Sequence, residues 1–139
     1  MSKQSQEDYL REMYSLFEES SDGNMNSVDI ACKLGVSKAA VSKMLHKMKE
    51  GGLVEMTPYS AVAFSKQGLS QAEKVMYKHR IIEVFLVKIL KVDKKKIHGE
   101  AHALEHYFSD ESIKRLAKFL GCPRNCPCGH NIPKIKKYD

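Results

Sequence analysis

Between residues 6 and 20, apolar side chains recur at Leu10, Met13, Tyr14 and Phe17, with Asp8 and Glu12 on the opposite side. That i, i+3, i+4, i+7 spacing predicts an amphipathic helix. The cluster Ser20-Ser21-Asp22-Gly23-Asn24 then marks a turn. Asn26 or Ser27 can cap a short helix that buries Ile30, Ala31 and Leu34. Gly35 suits a left-handed position after it, Val36 reads as an apolar plug, and Ser37 caps the next helix. That helix, Lys38–Glu50, buries Val41, Leu45 and Met48 and stops at Gly51-Gly52. Helix, glycine turn and helix at this spacing form the helix-turn-helix pattern.

Two short strand candidates, Val54–Met56 and Ala61–Ser65, flank Thr57-Pro58-Tyr59-Ser60 and predict a β-hairpin, the wing of a winged helix. Ser65 can cap a long helix reaching about Leu90, and Asp93 one from about Lys94 to Tyr107. Ser109 or Asp110 can cap a third, ending at Gly121, with Asp110 and Glu111 placed for its positive end. The expected fold is mainly α: a winged helix-turn-helix domain with a small hairpin wing over residues 1–65, then an all-helical domain over 66–139 with a Cys-rich tail.

Charge changes this picture locally rather than globally. The formal net charge is +6, yet residues 1–65 hold seven Lys/Arg against nine Asp/Glu. A basic patch for nucleic acid is therefore not a property of the whole first half. It is a property of Ala31–Lys49, where five lysines stand with no acid. Ser37, Lys38, Ala39, Ala40, Ser42, Lys43 and Lys47 are the candidate DNA contacts on the second helix. Lysines reach phosphates or guanine edges, and small side chains meet thymine methyls. The plainer alternative is a solvated helix face. No apolar stretch is long enough to cross a membrane, and the start MSKQSQEDYL lacks an apolar leader, so a cytoplasmic protein is expected.

The segment IHGEAHALEHYF carries the metal chemistry. His98, His102, Glu105 and His106 fall on one helical stripe, while Glu100 points away. His79 and Glu83 make a second i, i+4 pair on the preceding helix. Imidazole and carboxylate together suit divalent manganese, iron, cobalt or zinc. In the tail, Cys122, Cys126, Cys128 and His130 can form a structural zinc site or a redox-sensitive cluster. The plainer reading there is a loop with ordinary buried thiols, and Cys32 reads as simple packing.

From EDYLREMYSL through the helix-turn-helix, KHRIIEVFL and KIHGEAHALEHYFSDE to the tail, the chain resembles the diphtheria-toxin-repressor and manganese-regulator (DtxR/MntR) family of metal-dependent repressors. The resemblance implies a homodimer that binds a palindromic double-stranded operator, with Fe²⁺ or Mn²⁺ as co-repressor and Zn²⁺, Co²⁺ or Ni²⁺ able to substitute. It implies a two-domain form without the family's SH3-like domain, the helical half serving dimerisation. It assigns Asp8, His102, Glu105 and His106 to a primary metal site and His79, Glu83 and His98 to an ancillary one. Family iron sensors carry Met and Cys at the Asp8 and His102 positions, and manganese sensors Asp and Glu; His102 matches neither, so both metals stay open. A rival is a winged-helix regulator that senses thiol oxidation or zinc through Cys122, Cys126 and Cys128. An enzyme is not expected, because no nucleophile-and-base pair or nucleotide loop is present, and no membrane or small organic substrate is implied.

Overall fold

In the computed structural model, which describes residues 3–57 and 61–138, the first amphipathic stripe forms helix α1 (Lys3–Glu19). It buries Tyr9, Leu10 and Met13. Contacts divide the chain into two units, Met1–Glu73 and Lys74–Asp139, with the boundary inside a long helix. Among the described residues no helix is long and apolar enough to cross a membrane.

In the first unit the helix-turn-helix is α2 (Ser27–Leu34) and α3 (Lys38–Glu50). Asn26 is the cap of α2, its side chain accepting from the Asp29 N–H at 2.8 Å. Gly35 sits at φ 66 and donates back to the carbonyls of Ala31 and Cys32, a conformation that costs any side chain with a Cβ. Ser37 Oγ accepts from the Ala40 N–H at 3.1 Å and starts α3. Val41, Leu45 and Met48 are buried as expected, and Met44 joins them. Two expectations fail here. Val36 is 38% exposed and no plug; it is the residue whose N–H closes the α2 turn on the Ala31 carbonyl. Cys32 is exposed, not packed.

The wing is a three-stranded antiparallel sheet rather than a simple hairpin. Strand β1 (Met25–Asn26) falls right after the expected turn and pairs with β3 (Ala61–Phe64), which in turn pairs with β2 (Val54–Met56). The register sets Met25 opposite Val62 and Asn26 opposite Ala61. Pro58, Tyr59 and Ser60, in the expected hairpin turn, lie outside the described residues.

Helix α4 (Lys66–Lys88) starts with Ser65, whose Oγ accepts from the Gly68 N–H at 3.0 Å and donates to the Gly52 carbonyl at 2.6 Å. Gly68 is required by close approach: a Cβ there would stand 1.8 Å from the Leu53 carbonyl oxygen.

The second unit contains the rest of α4 with α5 (Lys94–Glu105), α6 (Asp110–Phe119) and a 3-10 turn (Lys136–Tyr138). Asp93 and Ser109 cap α5 and α6. The core is Ile81, Ile82, Val84, Leu86, Ile97, Ile113 and the tail's Ile132 and Ile135. Tyr138 stacks on Tyr77, and its hydroxyl donates to Asp110 at 2.8 Å, where Lys78 Nζ also stands at 3.3 Å. The tail is thereby tied to α4 and α6. Ile89, Leu90, Leu104, Tyr107 and Phe119 are left exposed.

Candidate metal centre

Two groups of donor atoms are built in the second unit by α4 and α5. On α4, His79 and Glu83 lie one turn apart and are buried, at 2% and 3% exposure. Across from them α5 supplies His98, whose side chain is 64% exposed. His79 Nε2 lies 3.1 Å from His98 Nδ1 and 3.5 Å from Glu83 Oε1, and His98 Nδ1 lies 3.8 Å from Glu83 Oε2. Around a cation with bonds of about 2.1 Å, neighbouring ligands stand ~3.0 Å apart in an octahedron and ~3.4 Å apart in a tetrahedron. The three donors are therefore close to the spacing a shared divalent ion requires, and their chemistry fits Mn²⁺, Fe²⁺ or Zn²⁺.

The second group follows the α5 stripe: His102, Glu105 and His106 each offer a donor atom, all within 4.8 Å of one another. Glu105 is buried, and the two imidazoles stand edge to face at its sides, half-buried. The helix ends one residue before His106, which serves as its C-cap, two residues short of the expected end at Tyr107.

Electrostatics mark the same residues. Burial alone would lower the His79 imidazole; the Glu105 and Glu83 carboxylates outweigh it and hold its pKa above the ordinary value. Burial would raise Glu83, but hydrogen bonding to His79 and His98 brings it down to about 2. Three buried ionisable side chains cost too much to be packing residues unless a partner compensates them, and a cation is such a partner. His79 Nδ1 is buried without a hydrogen bond and lies 3.6 Å from Glu105 Oε2.

The other candidates sort differently. Asp8 is half-buried on α1 of the first unit. In the tail, Cys126 is buried with Sγ 3.9 Å from His130 Nδ1, while Cys122 and Cys128 are exposed. Among the described residues no group of three donors includes a tail cysteine. Burial, then the Glu83 charge and the Cys126 thiol, push the Cys128 thiol up. Arg80, buried on α4, donates to the Asn131 carbonyl and ties the tail loop to α4. That bond has no local signal, since 51 residues separate Arg80 from Asn131.

On α3, Lys38, Ala39, Ser42, Lys43 and Lys47 are exposed and Ala40 half-exposed, while Ser37 spends its hydroxyl on the cap. His46 shares this outward face and pairs with Glu50 at 3.3 Å. It was missed in the sequence, although it stands one turn beyond Ser42.

The chain matches the iron dependent repressor N-terminal DNA binding domain over residues 1–62. It matches the iron dependent repressor metal binding and dimerisation domain over residues 65–134. It is 36% identical over 117 residues to an uncharacterised helix-turn-helix-type transcriptional regulator of Methanocaldococcus jannaschii, covering 84% of this chain and 93% of that one. It is 37% identical over 128 residues to the diphtheria toxin repressor of Corynebacterium glutamicum, covering 91% of this chain but 55% of that protein. The solved manganese regulator SloR superposes with a TM-score of 0.81 at 40% identity, covering 93% of this chain and 59% of that one. The chain thus spans little more than half the length of these last two.

Proposed function

Because the chain belongs to the iron-dependent repressor family, the DtxR/MntR regulators, we propose that it is a metal-responsive transcriptional repressor that binds DNA as a homodimer. The observation that carries this reading is the pair of His/Glu donor groups, built around buried His79, Glu83 and Glu105, in a chain that also holds a capped helix-turn-helix and a wing. Fe²⁺ or Mn²⁺ is the co-repressor, with Zn²⁺, Co²⁺ or Ni²⁺ able to substitute, and the protein acts in the cytoplasm on metal-homeostasis genes. Residues 1–65 read DNA and residues 66–139 hold metal and dimerise.

His79, Glu83 and His98 form the ancillary site. His102, Glu105 and His106 form the primary site, and family resemblance adds Asp8. A bound divalent ion supplies positive charge that the buried carboxylates lack, and so favours one arrangement of the ligands over others. The dimer surface is supported by Ile89, Leu90, Leu104, Tyr107 and Phe119, apolar side chains left exposed. Ile81, Val84, Leu86 and Ile113 are spent on the core of the second unit.

The DNA face is Ser37, Lys38, Ala39, Ala40, Ser42, Lys43 and Lys47, and the operator is a palindrome matching the dimer's symmetry. Duplexes selected from a random pool with Mn²⁺ or Fe²⁺ present, then titrated by fluorescence anisotropy with metal or with chelator, test the reading. Metal should tighten binding at least fivefold, the lower end of ordinary linkage, about 1 kcal/mol. Equal affinity in chelator refutes it. Asp8→Ala should weaken the metal response and leave the dimer intact.

A further inference from the structure

A hairpin in the tail carries a cysteine toward the first donor group. Cys126, Pro127, Cys128 and Gly129 make a tight turn, closed by the Gly129 N–H on the Cys126 carbonyl at 2.9 Å. The Cys126 N–H bonds the His130 carbonyl at 2.9 Å, and Asn125 pairs with Asn131, so Cys128 stands at the tip. The foot of the hairpin rests on α4, where Arg80 donates to the Asn131 carbonyl. Arg80 precedes Glu83 by three residues, so the two share one side of that helix. Resting on the metal-responsive reading above, we propose that Cys128 is a further ligand of the His79/Glu83/His98 group. With it the group selects a thiophilic divalent ion, Zn²⁺, Co²⁺ or Fe²⁺, over Mn²⁺.

Three protein donors leave at least one position of a divalent ion open. The open side is that of His98, whose side chain is 64% exposed while His79 and Glu83 are buried. Cys128, itself exposed, lies toward that side. Burial raises its thiol most; beyond burial, the negative charge of Glu83 raises it and the positive charge of Lys94 lowers it. The pull of a single charge fades with distance, so the thiol is near both α4 and the start of α5. Lys94 and His98 are four residues apart on α5 and share a face. Cys128 thus stands at the mouth between the two helices that hold the group. It lies outside the 4.8 Å span that encloses the three donors, so ligation draws the tip inward. Gly129, at φ 89, has no atom beyond its chain neighbours within 4 Å of a Cβ placed there, which leaves the tip room to turn. On binding, the thiol gives its proton to solvent and ligates as thiolate. A soft thiolate beside two imidazoles and a carboxylate sharpens the preference for Zn²⁺, Co²⁺ or Fe²⁺ over Mn²⁺.

The test titrates Co²⁺ into the reduced full chain without oxygen and reads the near-ultraviolet thiolate-to-cobalt charge-transfer band. Imidazole and carboxylate ligands give no such band. Wild type should show it. Cys128→Ser, at an exposed position, should lose it and keep the visible bands of cobalt held by His and Glu, since the His102/Glu105/His106 group contains no sulfur. His98→Ala, also a mostly exposed side chain, should lose the band too. That loss ties the thiolate to this group rather than to a site within the tail. In competition, Cys128→Ser should narrow the preference of the first group for Zn²⁺ over Mn²⁺. Visible cobalt bands without a thiolate band in wild type overturn the proposal. So does a thiolate band that survives in Cys128→Ser or in His98→Ala, or an unchanged metal preference. Wild type that takes up no Co²⁺ overturns the proposed function itself.

Discussion

Replacing Gly68 with alanine sets two physical effects against each other. Helix propensity favours alanine inside a helix by about 0.5–1 kcal/mol. The fold opposes it. The new Cβ would lie 1.8 Å from the Leu53 carbonyl oxygen, 2.7 Å from its carbon and 3.1 Å from its Cα. These are backbone atoms, so no side chain can rotate away. Leu53 must retreat by roughly 1.7 Å to restore ordinary contact at ~3.5 Å. Two hydrogen bonds depend on its present place: Ser65 N–H to the Leu53 carbonyl and Leu53 N–H to the Met48 carbonyl, both 2.9 Å. Overpacking costs about 1–3 kcal/mol, and loosening the two bonds adds about 1 kcal/mol each. Against the propensity gain, the net loss is about 2–4 kcal/mol. For a unit of this size that lowers the melting midpoint by roughly 10 °C or more. Thermal unfolding followed by circular dichroism in chelator reads it. A midpoint equal to or above wild type refutes the argument, and is the outcome propensity alone predicts.

Three further outcomes follow from the geometry. Glu83 is held down to about 2 against a usual 4.5, so its stabilisation is complete above about 4.5 and is lost as pH falls toward 2. His79 is raised, so its contribution is present below 6.5 and lost as pH rises through its elevated value; metal-free stability should peak between these limits and flatten in Glu83→Gln. Lys38→Gln, Lys43→Gln and Lys47→Gln should each reduce the salt slope of operator binding by about 0.9 per lost phosphate contact, with Co²⁺ uptake unchanged. A slope that does not move places that lysine off the DNA. Tyr138→Phe keeps the stack on Tyr77 but removes the hydroxyl bond to Asp110, a loss of about 1–3 kcal/mol in urea unfolding; an unchanged midpoint means the hydroxyl is replaced by solvent.

What the sequence made legible was local. The caps Ser37, Asp93 and Ser109 and the turn at Gly35 carry their signal within three or four residues, and each is found where the pattern puts it. The His98, His102, Glu105 and His106 stripe was visible for the same reason. Strand β1 was not, because two residues show no period; it exists through its pairing with Val62 and Ala61. Val36 misled because an apolar residue after a helix-ending glycine can face either way. The His79–Glu105 contact and the Tyr138–Asp110 bond join side chains about 26 and 28 positions apart on different elements, beyond the reach of any helical wheel. Burial was equally silent: nothing in the spelling of EHYF tells that Glu105 is enclosed while its neighbours are half-open.

Asn26 serves two elements at once. Its backbone belongs to β1, opposite Ala61, and its side chain caps α2. The sheet of the wing and the first helix of the reader therefore share a residue, and neither can swing without breaking the other's hydrogen bonds. In hydrogen exchange, the amides of β1, β3 and the first turn of α2 should open together as one cooperative foldon. A DNA reader built this way settles the pose of β1 and β3 against α2 during folding. The conformational entropy of those strands is already spent when the duplex arrives, so ordering them takes nothing from binding affinity.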